Sequence, residues 1–190
     1  MFVGFIVRWK LKLGEIIMSY AKIFQGSNDD IEKIAQETLQ TLKKYVPNTN
    51  SKHDFLQQSV KLLNGTISVA PMPAFYEVDG GSLIIYPDRK FKIQLSATTS
   101  PLRDNFTIAH ELGHFFLHYD YDNPPDEEVI FARYGSGIYE FQANRFAAAF
   151  LMPKEEFIKI RKKYADNPFL IAAYFEVSIA AAETRMEYIK

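Results

Sequence analysis

Along residues 27–45, SNDDIEKIAQETLQTLKKY, apolar side chains recur at Ile31, Ile34, Ala35, Leu39 and Leu42, the spacing of one helix face. The stretch opens on cap-type and acidic residues and closes on Lys43 and Lys44, as the helix dipole favours. A second helix is expected after Ser51, with Asp54 in its first turn and Asn64-Gly65 as its stop. From Thr66 to Ser96 the helical spacing gives way to short apolar runs, Phe75–Val78, Leu83–Tyr86 and Phe91–Leu95. Asp79-Gly80-Gly81 and Pro87-Asp88-Arg89 separate them as turns, which predicts three strands in an antiparallel meander. Pro71 and Pro73 confine the start of this region to an irregular or edge position.

Ser100-Pro101 pairs a cap with a proline at the first helical position and opens a helix that runs to His118. The following segment, Tyr119 to Gly137, carries Asn123-Pro124-Pro125 and reads as a loop holding one short strand at Val129–Arg133. Helices are then expected at Ile138–Leu151, from Pro153 to Tyr164, from Asn167-Pro168, and at Ile179–Tyr188 beyond a turn at Glu176-Val177-Ser178. Helices, then strands, then helices make an α+β chain.

The length of 190 residues supports one domain with a real core. A net charge of −1 gives no electrostatic argument for nucleic acid as the main partner. With no cysteine, disulfides, thiolate zinc sites and iron–sulfur clusters are excluded, and a reducing, cytoplasmic setting is the expectation. The opening MFVGFIVRWKLKLGEIIM is too short in its apolar run for a membrane span, and its charges lie on the wrong side for a secretory signal. Residues 1–17 are read as a non-native or poorly anchored extension, or an edge strand, with Met18 as a candidate translation start.

The chemistry concentrates in residues 106–118, FTIAHELGHFFLH. His110-Glu111-Leu112-Gly113-His114 is the HExxH pattern. On a helix, residues four apart sit one turn apart, so both imidazoles reach one ion, while Glu111 flanks it as a base for bound water. His118 lies about 12 Å along the helix from His110, too far to share an ion at bond lengths of about 2.0–2.1 Å. It is expected to cap the helix C-terminus as a partly positive imidazole. Asp120 would need a sharp turn at Leu117, where no glycine stands. A carboxylate from a second helix would complete a three-ligand site with one open position. Glu140, on the helix carrying YEFQANRFA, is the candidate, with Asn144 one turn on to orient a histidine and Ala143 and Ala147 allowing close approach.

RDNFTIAHELGHFFLH followed by EFQANRFAAAFLMP resembles the ImmA/IrrE family of zinc metallopeptidases, and the similarity extends over most of residues 66–190. The resemblance implies a zincin-like core at about 66–152 within a single domain spanning 18–190, its small meander packed on the HExxH helix. It implies one zinc per chain on His110, His114 and Glu140, with Glu111 as catalytic base. It also implies a substrate class, DNA-binding repressors of the XRE helix-turn-helix type, whose cleavage would release stress or mobile-element genes. Phe141-Gln142 stands where relatives often carry further acids, a difference expected to affect surface charge.

Tyr134, Tyr139 and Arg133 are the candidates for a donor to the developing oxyanion. The strand Phe91–Ser96 is a candidate for holding an extended substrate by strand addition, if its edge is exposed. The competing reading is a non-catalytic, DNA- or repressor-binding protein with a structural metal, since residues 154–190 end in a helix-turn-helix-like pair. The last helix offers only Arg185 and Lys190 against Glu183 and Glu187, a poor phosphate-binding face, so direct nucleic-acid binding is not expected.

Overall fold

A computed structural model describes residues 6–9, 18–69, 82–124, 126–132 and 137–189. The first two strands, β1 (Ile6–Trp9) and β2 (Met18–Lys22), pair antiparallel. Helix α1 (Asn28–Tyr45) begins at Ser27, whose side chain accepts from the Asp30 N–H while the Asp30 carboxylate accepts from the Ser27 N–H, a reciprocal capping box. It buries Ile31, Ala35, Leu39 and Leu42, the face its spacing predicts. Helix α2 (Lys52–Leu62) is capped by Ser51 and ends at Asn64, which takes the left-handed conformation with φ of 62°.

Strands β3 (Gly65–Val69), β4 (Ser82–Ile85), β5 (Phe91–Leu95) and β6 (Val129–Ala132) form a sheet in the order β3-β5-β4-β6. The hairpin of β4 and β5 is the one expected from sequence, closed by Tyr86 N–H donating to the Lys90 carbonyl. β6 adds antiparallel to β4, and β3 adds parallel to β5. The sheet is therefore mixed. β5 lies inside it with both edges paired, so strand addition at Phe91–Ser96 is ruled out. Phe75–Val78, the expected first strand of the meander, lies outside the described residues. Leu83, Ile85, Phe91, Ile93 and Leu95 form the buried face, alternating with half-exposed neighbours as one-sided burial requires.

Helix α3 (Pro101–His118) starts at the Ser100 cap and packs against this sheet. From Thr107 to Phe115 every residue is buried, so α3 is the central helix of the core. Against it lies α4 (Ile138–Leu151), with Ala143 and Ala147 fully buried at the crossing. Gly113 sets the separation. A Cβ there would sit 3.0 Å from the Ala143 carbonyl oxygen and 3.1 Å from the Ala143 Cα. Both are backbone atoms, so the two helices approach as closely as they do because residue 113 has no side chain. Helices α5 (Lys154–Lys163), α6 (Pro168–Phe175) and α7 (Ile179–Tyr188) close the chain, and α1 packs on α4. The architecture is α+β.

Candidate metal centre

The close α3–α4 contact brings three side chains to one point. His110 Nε2 and His114 Nε2 lie 3.0 Å apart, one turn from each other on α3. From α4, one Glu140 oxygen lies 3.2 Å from His110 Nε2 and the other 3.2 Å from His114 Nε2. A tetrahedral ion with bonds of about 2.0–2.1 Å holds its donors about 3.3 Å apart, which matches this triangle. Among the described residues, His110, His114 and Glu140 are the group whose donor atoms are arranged to hold a metal ion. The donor chemistry, two imidazoles and a carboxylate, suits zinc and leaves a fourth position for substrate or water.

Both histidines are almost fully buried, and Glu140 is 18% exposed at its side chain. Burial pushes the Glu140 carboxyl up, but hydrogen bonds to His110 and His114 and their charge outweigh this and hold it well below the ordinary carboxylate range. Glu140 is thus anionic, as a ligand must be. Asn144, one turn beyond Glu140, places Oδ1 2.9 Å from His110 Nδ1, the orienting contact expected of it. Glu111 follows His110 on α3 and is buried, at 1% exposure.

His118 is not the helix cap its position suggested. It is fully buried, with Nδ1 3.0 Å from His114 Nδ1 and Nε2 3.0 Å from Gln142 Oε1. Burial, reinforced by neighbouring His114, lowers its pKa to about 3, so the ring is neutral where a dipole-capping imidazole would be charged. Gln142 is likewise buried rather than part of the surface, while Phe141 beside it is 40% exposed. Only a weak local signal marks either: His118 repeats the four-residue step that joins His110 to His114, and Gln142 shares a turn with Glu140. Phe131 of β6 stacks on the His114 ring, with centroids 5.1 Å apart, and walls the site on the sheet side.

Of the oxyanion candidates, Tyr139 packs its ring edge-on against His118 at 5.1 Å. Tyr134 and Arg133 lie outside the described residues. The helix-turn-helix-like tail also departs from a DNA reader. Arg185 of α7 is 1% exposed, its guanidinium paired with both carboxylate oxygens of Glu32 at 2.5 and 2.8 Å, so it cannot reach a phosphate. Among the described residues, no helix is long and apolar enough to cross a membrane.

No curated protein matches the sequence. Among solved structures, a Mycobacterium tuberculosis transcriptional regulator shares the fold, with a TM-score of 0.58 at 16% identity over 84% of this chain. The match takes in 48% of that regulator, so this chain spans about half its length. The model of the peptidase M78 family, the IrrE N-terminal-like domain, matches residues 77–187, more than half of the chain and every residue of the metal triangle. The chain belongs to the IrrE N-terminal-like peptidase family.

Proposed function

We propose that the protein is a zinc-dependent endopeptidase that acts in the cytoplasm on a helix-turn-helix repressor of the XRE type. The observation that carries the hydrolase reading is the convergence of His110, His114 and Glu140 at 3.0–3.2 Å, with a buried acid, Glu111, following His110 on the same helix. A purely structural metal site has no use for that fourth, non-ligating acid.

In this reading His110, His114 and Glu140 hold one zinc ion. When bound, zinc supplies Lewis acidity toward a peptide carbonyl and toward water near neutral pH. Glu111 takes the proton from the attacking water and delivers it to the amine that leaves as the peptide bond breaks. Asn144 holds the His110 ring, and Phe131 covers one face of His114 and keeps solvent from it. Family membership supports a peptide substrate, and the resemblance to the ImmA/IrrE proteases supports a repressor.

The test is to incubate the zinc-loaded protein and its Glu111→Gln variant with the repressor encoded nearest its gene, then analyse the products by mass spectrometry. Cleavage at a defined bond by the wild type alone is expected. Equal cleavage by both proteins, or none by zinc-loaded wild type, would contradict the proposal.

A further inference from the structure

Behind the metal triangle, a line of buried hydrogen bonds runs from His114 to the backbone of another part of the chain. We propose that His118 and Gln142 are positioning residues that keep the proton of His114 on Nδ1, leaving the Nε2 lone pair free to face a cation. The proposal rests on reading the triangle as a metal site. It concerns which way the hydrogen bonds behind that site point.

The direction follows from the far end. The Phe24 carbonyl oxygen can only accept, and Gln142 Nε2 lies 2.8 Å from it. The amide of Gln142 is thereby oriented, since its flipped form would face two carbonyl oxygens at that distance with no proton between them. Gln142 Oε1 then points at His118 Nε2, 3.0 Å away, and as an acceptor it requires the proton of His118 to sit on Nε2. With its proton on Nε2, His118 offers the Nδ1 lone pair to His114 Nδ1, 3.0 Å away. His114 must donate there, so its neutral ring has the lone pair on Nε2, the nitrogen that faces His110 and Glu140.

Reversing the line has a clear consequence. If His118 carried its proton on Nδ1, His114 would accept at Nδ1 and bear a proton on Nε2, aimed into the metal position. That state leaves lone pairs facing each other between His118 and Gln142 in a place without solvent, because both residues are buried. The rings are also held in plane. Phe131 stacks on His114, and Tyr139 lies edge-on to His118. The acceptor that sets the polarity belongs to the segment between β2 and α1, so the N-terminal part of the fold takes part in preparing the metal site.

The experiment has two readouts. In the first, zinc affinity is measured by competition with a chromophoric chelator for wild type, His118→Leu, His118→Asn and Gln142→Met. Loss of the acceptor in His118→Leu and Gln142→Met is expected to weaken zinc roughly 10–100-fold. His118→Asn, whose Oδ1 takes the place of Nδ1, is expected to recover most of that loss. In the second, nitrogen-15 spectra of the histidine rings in metal-free wild type are expected to show His118 as the Nε2–H tautomer. Wild-type affinity in both acceptor-lacking variants, or His118 as the Nδ1–H tautomer, would overturn the proposal. If His118→Leu fails to fold, Gln142→Met and the wild-type spectrum decide. Failure of the wild type to bind zinc would count against the metal reading, while the tautomer in metal-free protein still tests the wiring.

Discussion

Two buried polar clusters draw on α4 or its end, and they are built on opposite principles. Beneath α7, Arg185 and Glu32 meet as a bidentate pair, and the Arg185 Nε also donates to the Met152 carbonyl at 3.1 Å. Donors and acceptors match there, charges cancel, and nothing is asked of an outside group. At the metal triangle, two ring nitrogens and a carboxylate turn toward one another at 3.0–3.2 Å, and each ring has a hydrogen-bond partner behind it on Nδ1. Possible ligand atoms from three side chains converge in the one case, whereas in the other Arg185 and Glu32 satisfy each other within the fold. A cluster that completes itself locks helices together; a cluster that does not is shaped for a cation.

Substitutions can break this comparison at several levels. The largest effect belongs to Glu111→Gln, which should lower peptide hydrolysis by about 10²–10⁴-fold, seen in turnover, with bound zinc unchanged by elemental analysis. Next is Arg185→Met, which strands Glu32 without a partner and should cost roughly 3–5 kcal/mol in denaturant unfolding. Zinc affinity of the folded fraction should stay at the wild-type value. Glu140→Gln should do the reverse. Its metal-free form should keep its fold but lose the stabilisation that the anionic carboxylate draws from His110 and His114. Its zinc affinity should fall by more than the roughly 10–100-fold typical of an orienting residue. Gly113→Ala drives a methyl group into the α4 backbone and should destabilise by about 1–3 kcal/mol. By moving Glu140 it should also weaken zinc. Asn144→Ala should have the smallest effect, about a tenfold loss of zinc affinity with unchanged unfolding.

Much of this arrangement is legible in the sequence because it is local. The capping box at Ser27, the Ser100-Pro101 helix start and the hairpin around Pro87-Asp88-Arg89 depend on a few neighbouring residues. The four-residue spacing of His110 and His114, and the small residues beside Glu140, likewise announce themselves. What did not show was long-range. Nothing near Gly65–Val69 says that this strand lies parallel to β5, which encloses β5 and removes the edge expected of it. His118 reads locally as a cap because it ends a helix, yet the sheet and α4 cover it completely. Gln142 reads as surface until α4 is placed against α3. Arg185 looks like a free cation until α1, 153 residues away in sequence, supplies Glu32.

The central claim, that α3 and α4 bring two imidazoles and one carboxylate to a single ion, is tested most directly by titrating metal-free protein with zinc. Wild type should take up one ion per chain at high affinity, and Glu140→Gln should lose that tight binding while keeping its fold. A wild type that takes up no zinc, or a Glu140→Gln variant that binds it equally well, would contradict the claim.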